Sequence, residues 1–286
     1  MNFIKAPVYF IFLQLLTIFF SNVSQASCTE EFLGNKRAYF SMAGSIPIPQ
    51  EFFSSKNYLK NQSSKKSPQI SSELFDKASF AVWSSSPNEE TESIETNEQL
   101  ETLLTHNQYK LSVNFYEETV SHDDITALKP YASHIWGFNS DQTWMTDECM
   151  SLIASSFPNL RTLEIPNNCI TGNALKTLSS LFHLEYLDIA NNTLSAADLS
   201  SLLDFKKTLR SLSVSSIPIG EEGIKTLFQL DLEKLNVSSC DLTDSSLSYF
   251  LKMPHLKYLD IRRNSFTPNG LSDFLKYPHK IQKVIS

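Results

Sequence analysis

The sequence predicts an α/β fold, a solenoid or horseshoe in which short parallel strands line a concave sheet and helices cover the convex side. Three observations predict it. First, one apolar pattern returns about every 24 residues. Its clearest copies are Leu160-x-x-Leu163-x-Ile165-x-x-Asn168-x-Ile170 and Leu184-x-x-Leu187-x-Ile189-x-x-Asn192-x-Leu194. The same columns hold Leu209, Leu212, Val214, Ile217 and Ile219, then Leu232, Leu235, Val237, Cys240 and Leu242, then Leu256, Leu259, Ile261, Asn264 and Phe266. Second, a residue suited to the N-cap of a helix recurs at Ser121, Thr146, Thr171, Ser195, Thr243 and Thr267, and Gly220 holds that place in the Leu209 copy. Such side chains accept from the unpaired amides of a first helical turn, and Pro268 follows Thr267 where proline is favoured. Third, apolar residues then come at helical spacing, as in Leu175, Leu178 and Leu181, or Leu271, Phe274 and Leu275.

The leucine spacing and the Asn/Cys column agree from copy to copy, and in this the chain resembles the leucine-rich repeat family. The resemblance implies that each L-x-L segment is a buried strand, and that the Asn or Cys turns the chain while its side chain bonds to backbone inside the coil. A helix in each unit narrows the resemblance to the ribonuclease-inhibitor-like subclass. Ile217 departs from the pattern, and a local weakening of the polar ladder is expected there.

In chain order, residues 1–26 read as a secretory signal peptide. Lys5 precedes an apolar run from Val8 to Phe20, and Ser24 and Ala26 offer small residues for cleavage. The run is interrupted by Gln14 and falls short of the about 20 apolar residues a membrane span needs. No stable span is therefore expected after cleavage. Cys28 lies in Gln25-Ala26-Ser27-Cys28, which is similar to a bacterial lipoprotein box with Gln in place of an aliphatic residue; a lipid anchor at Cys28 is the alternative. Residues 27–77 are rich in Ser and Lys and predict a partly disordered segment to which the sequence assigns no fold. Residues 78–109 predict a capping unit, with the strand-like Phe80-Ala81-Val82-Trp83, an acidic loop over Asn88–Glu92, and a helix opened by Thr96-x-x-Gln99 ahead of Leu100, Leu103 and Leu104. Residues 110–286 predict seven full repeats and a closing strand at Ile281–Ile285. The first two copies, around Val113 and Phe115 and around Phe138 and Ser140, are degenerate, as end units of a solenoid are.

Composition limits the chemistry. The 286 residues carry a formal charge of −7, which leaves no long basic stripe to displace the counterions of a nucleic acid. Cys28, Cys149, Cys169 and Cys240 are too few and too scattered for a disulfide scaffold. Cys240 falls in the repeat column, and a bridge between Cys149 and Cys169 stays open. No close Cys or His pair points to a metal, and His183, His255 and His279 read as polar turn residues at coil junctions. Phosphate-cradling glycine loops are absent, so no cofactor is expected. The sequons at Asn61, Asn191 and Asn236 favour a bacterial source, because a glycan on Asn236 would obstruct the concave sheet.

If the two core residues of each strand point inward, the residues before, between and after them form three outward rows. The first row reads Ser112, Gly137, Thr162, Tyr186, Ser211, Lys234, Tyr258. The second reads Asn114, Asn139, Glu164, Asp188, Ser213, Asn236, Asp260, and the third reads Tyr116, Asp141, Pro166, Ala190, Ser215, Ser238, Arg262. This polar, mildly acidic face predicts a site for another protein built on Tyr116, Glu164, Tyr186, Asp188, Asn236, Tyr258, Asp260 and Arg262. Tyrosine suits it because the ring gives a large contact for little lost side-chain freedom. Glu164 and Asp188 on neighbouring rungs would allow acid/base chemistry, but no nucleophile or oxyanion hole accompanies them, and the chain is not expected to be an enzyme. The expectation is an exported, non-catalytic interaction module, host-directed if bacterial, with an envelope lipoprotein of structural role as the alternative. The ubiquitin-ligase segment or F-box found in some relatives has no counterpart here.

Overall fold

The computed structural model describes residues 70–84, 93, 94, 96, 98–100, 109–116, 119–277 and 280–286. All of them belong to one unit, Pro47–Ser286. The signal peptide, Cys28, the acidic loop, Asn61, Leu103, Leu104 and His279 lie outside the described residues, as does all of 27–77 beyond its last eight residues.

Seven strands follow one another at the repeat spacing: β3 (Tyr109–Tyr116), β4 (Ile135–Asp141), β5 (Thr162–Glu164), β6 (Tyr186–Asp188), β7 (Ser211–Ser213), β8 (Lys234–Asn236) and β9 (Tyr258–Asp260). They pair in parallel, and β10 (Lys283–Ile285) closes the row. The register stacks Leu163, Leu187, Leu212, Leu235 and Leu259 in one buried column. A three-residue strand with an inward centre turns its first and third residues to the other side. The result is an open leucine-rich-repeat solenoid.

The N-terminal end is built differently. β1 (Ala78–Ser84) runs antiparallel to β3, and β2 (Ser93–Ile94) antiparallel to β1, completing a ten-stranded sheet. Ahead of them α1 (Ser72–Lys77), capped by Ser71, buries Leu74, and Ile70 is buried beside it. This helix falls within the segment to which the sequence assigns no fold. Thr96 and Gln99 form the expected reciprocal cap, with Thr96 N donating to Gln99 Oε1 at 3.0 Å and Gln99 N to Thr96 Oγ1 at 3.2 Å.

The opposite side carries α2 (His122–Leu128), α3 (Asp147–Ser156), α4 (Gly172–Thr177), α5 (Gly220–Leu227), α6 (Asp244–Phe250) and α7 (Pro268–Lys276). None of the described helices is long and apolar enough to cross a membrane. Ser121, Thr146, Thr171, Ser195, Thr243 and Thr267 all stand at N-caps. Some caps reach across coils: the Asp147 carboxylate accepts from Thr171 N and Oγ1 at 2.7 and 2.5 Å, and Asp244 treats Thr267 alike at 2.8 and 2.5 Å. Gly220 opens α5 at φ +54°, with Ile219 as the cap; that left-handed angle suits glycine.

One coil departs from the expected α-helix. Residues Ala196–Phe205 form a 3₁₀ segment. Its buried residues are Leu199, Leu202 and Phe205, three apart, and a 3₁₀ helix repeats every three residues, so this spacing puts all three on one line facing the core.

The turn column behaves as its residue types require. Asn168 Oδ1 accepts from Thr143 N (3.2 Å) and Met145 N (2.9 Å), while Nδ2 donates to Ser140 O (2.6 Å) and Pro166 O (2.8 Å). Asn264 repeats this with Cys240 N, Leu242 N, Val237 O and Ile261 O. Cys240 donates through Sγ to Val214 O at 3.1 Å, and burial pushes its thiol up to about 12. Ile217 is buried in the same column with no polar side-chain atom to offer. Just before the column the chain turns through positive φ at Asn167, Asn191, Ser216, Ser239 and Arg263. Cys169 is disulfide-bonded whereas Cys149 and Cys240 are free, so a Cys149–Cys169 bridge is excluded.

Candidate functional site

The first two outward rows lie on the same side of the sheet in unbroken register, Gly137 to Thr162 to Tyr186 to Ser211 to Lys234 to Tyr258, and Asn139 to Glu164 to Asp188 to Ser213 to Asn236 to Asp260. Tyr116 ends β3 opposite Asp141.

The middle row proves to have a structural task. Asp188 accepts from Ala190 N at 2.9 Å, Asn236 from Ser238 N at 3.1 Å, and Asp260 from Arg262 N at 3.1 Å. A short acidic or amide side chain two residues upstream thus holds the backbone where each strand ends. Glu164 is one methylene too long for this role, and among the described residues its carboxylate has neither a hydrogen bond nor an ion pair.

The two ends of the face differ in how their charges are used. Toward the C-terminus, Arg262 folds back over Asp260, with Nε 3.0 and 3.1 Å from the two carboxylate oxygens and Nη2 2.6 Å from one of them. Asp260 is therefore only 5 % exposed. It is not the accessible contact residue that its row position predicts, because its neighbour two residues on covers it. Lys234 lies over the Tyr258 ring at 5.3 Å, leaving that ring 39 % exposed.

Nearer the middle, no cation among the described residues pairs with Asp141, Glu164 or Asp188. Burial, then the charges of Asp188 and Asp141, push Glu164 up to about 7. Burial also raises Asp188 to about 6, against the lowering effect of the bonds from Ala190 and Ser213. Tyr186 stands beside them, its hydroxyl pushed well above the ordinary phenol range by burial and by the carboxylates of Asp188 and Glu164. Asp141 holds one bond, from Asn167 Nδ2 at 2.7 Å. Ser211 and Ser213 are buried between their larger neighbours, so the serine rung is a covered notch rather than the open approach its small side chains suggest.

Sequence reasoning passed over a second charged row, one position before the first. Successive backbone bonds align Trp136, Arg161, Glu185, Arg210, Glu233 and Lys257. Arg161 pairs with Glu185 and stacks on Trp136 at 4.4 Å, with Lys110 4.7 Å from the same ring. Lys257 Nζ donates to Glu233 at 2.7 Å, which lowers the glutamate. The signal was available: charges alternate in sign at the repeat spacing.

Among the described residues no group of His, Cys, Asp and Glu is arranged to hold a metal ion. His183 and His255 are exposed at coil junctions.

Comparison with known proteins agrees on the repeat. The leucine-rich repeat model matches residues 180–203, 231–251 and 252–275. No curated protein matches the sequence. Among solved structures, an internalin of Listeria monocytogenes is 22 % identical over 58 % of this chain and 44 % of its own, with a TM-score of 0.40. A Bacteroides fragilis protein is 16 % identical over 60 % and 62 %, with a TM-score of 0.41. TLR13, solved as a complex with ssRNA13, is 21 % identical over 59 % and 27 %, with a TM-score of 0.41. The chain thus spans less than two thirds of each of these proteins, and it carries leucine-rich repeats.

Proposed function

We propose that the chain is an exported, non-catalytic interaction module that binds another protein on the outward face of its sheet. The observation that carries this reading is the face itself: parallel rungs in register present Tyr186 and the exposed Tyr258 amid small polar side chains. Rigid aromatic side chains of this kind are the usual anchors of protein interfaces. Asp188, Asn236 and Asp260 are occupied in holding strand ends, which supports a structural rather than a catalytic use of the middle row. Export is supported by the signal-like residues 1–26. A bacterial, host-directed role and a ribonuclease-inhibitor-like subclass are parts of the same proposal.

The test is capture of a partner by the mature chain from its own cell and from a host, followed by titration. Tyr186→Ala with Tyr258→Ala should weaken binding by about 2 kcal/mol or more, the scale of interface hot spots, with an unchanged circular dichroism spectrum. Unaltered affinity would move the site to the helical side.

A further inference from the structure

We propose that the rim of the solenoid where helices lead into strands rests on an anionic phospholipid bilayer, with Lys206, Lys207 and Lys280 against the headgroups and the Phe182 and Tyr277 rings entering between them. This rim lies outside the two outward rows, and its role does not depend on what the sheet face binds.

The formal charge of −7 is divided unevenly across the width of the coils. The strand-to-helix turns and the first helical residues after them hold Asp147, Glu148, Glu221, Glu222, Asp241 and Asp244. The helix-to-strand junctions hold the exposed Lys206, Lys207, Arg210, Lys252 and Lys280. Each set lines one rim: Asp147 and Asp244 bond across coils to Thr171 and Thr267, while Arg210 Nη1 donates to Asp231 O in the next junction at 3.2 Å. Of the described acids on the basic rim, Glu185 and Glu233 are held by Arg161 and Lys257, which leaves Asp204 and Asp231 against the cations.

A second, independent observation is apolar. Five large hydrophobic side chains are well exposed among the described residues, and three of them gather here beside the lysines. Phe182 is 74 % exposed one coil before Lys206 and Lys207, and Tyr277 is 59 % exposed between Lys276 and Lys280, two residues after the exposed Leu275. Rings flanked by lysines suit a bilayer interface, where the ring enters the acyl boundary and the ammonium stays with the phosphates.

Two features favour a bilayer over a nucleic acid. The coil of Asp231 and Glu233 interrupts the basic rim, so the cations stand as separate points that headgroups on a plane can meet, whereas a phosphodiester chain gains from a continuous track. Leu275 has no π face on which a base could stack, yet it buries well in hydrocarbon. The acidic rim does not oppose docking. A three-residue strand alone spans about 10 Å, and the turns add to it, so that rim stands beyond a screening length of about 10 Å in moderate salt.

The test is flotation of the mature chain with vesicles of equal parts phosphatidylglycerol and phosphatidylcholine, against vesicles of phosphatidylcholine alone. The wild type should float with the first, not with the second, and be released as salt rises. Lys206→Gln/Lys207→Gln and, separately, Phe182→Ser/Tyr277→Ser should each weaken the partition at least about tenfold with unchanged circular dichroism. The control, Lys176→Gln/Lys225→Gln, removes the same charge from the convex helices and should stay within about twofold of the wild type. Equal flotation with both vesicles, undiminished flotation of either rim variant, an equal loss in the control, or binding of a single-stranded oligonucleotide in place of vesicles would each overturn the proposal. Tyr186→Ala/Tyr258→Ala leaves the rim intact and should float like the wild type; its failure to float would put the bilayer against the sheet face and overturn the proposal as well.

Discussion

The two ends of the outward sheet face share one scaffold and differ in what they do with charge. At the β9 end, Arg262 neutralises Asp260 within the chain and Lys234 stacks on Tyr258. Around β4 to β6, no cation among the described residues pairs with Asp141, Glu164 or Asp188. Acidic residues on equivalent rungs thus hold their strand ends alike, and differ in that Asp260 has a countercharge within the chain whereas no described cation pairs with Asp188. Position in a repeat decides where a side chain stands, and its neighbours decide whether its charge is already spent.

The comparison is broken most forcefully at the shared scaffold. Leu187→Ala under the acidic rung and Leu235→Ala under the Asn236 rung each remove a buried side chain from the same column. Both should cost roughly 2–5 kcal/mol in chemical denaturation. A loss well below 1 kcal/mol at both would mean that the column is not the common support.

A smaller effect separates the ends by pH. Glu164 rises from an ordinary 4.5 to about 7 and Asp188 from 3.8 to about 6 on folding. The folded chain therefore binds protons more tightly than the unfolded one. The stability this confers is fully present below about pH 4 and is lost as pH rises through 6 to 7. Against this background, Glu164→Gln should flatten the dependence between pH 5 and 8 by on the order of 2 kcal/mol. An unchanged slope would show that the glutamate is solvated in both states.

The smallest effect is one of sign. Arg262→Ala strips Asp260 of its only described cation and should destabilise by about 1–2 kcal/mol at pH 8. Glu164→Gln at the same pH removes an uncompensated charge and should stabilise. Changes of the same sign in both variants would erase the distinction between the two ends.

Much of the scaffold is legible in the residues alone. The repeat register can be read because leucine columns and the Asn/Cys position are separated by fixed spacings, and the first two outward rows follow from it. The direction of β1 is not legible: a run such as Phe80-Ala81-Val82-Trp83 has the same alternation in a parallel or an antiparallel pair. The 3₁₀ coil is present in the three-residue spacing of Leu199, Leu202 and Phe205, but Leu175, Leu178 and Leu181 share that spacing where the chain forms one α-helical turn first. At the site, the positions are legible and the pairings are not. Asp188 and Asp260 both occur in Tyr-Leu-Asp strands, and only the side chain of Arg262 gives one a countercharge that the other lacks.

The charged row at the strand entrances sets a rule for how this chain changes length. From Arg161 through Glu185, Arg210 and Glu233 to Lys257, sign alternates from coil to coil. Excising the single coil that holds Glu185 would bring Arg161 against Arg210, and excising the one that holds Arg210 would bring Glu185 against Glu233. Removing two consecutive coils restores opposite neighbours, Arg161 beside Glu233. Along this row the array has parity, so its natural unit of growth or loss is a pair of repeats.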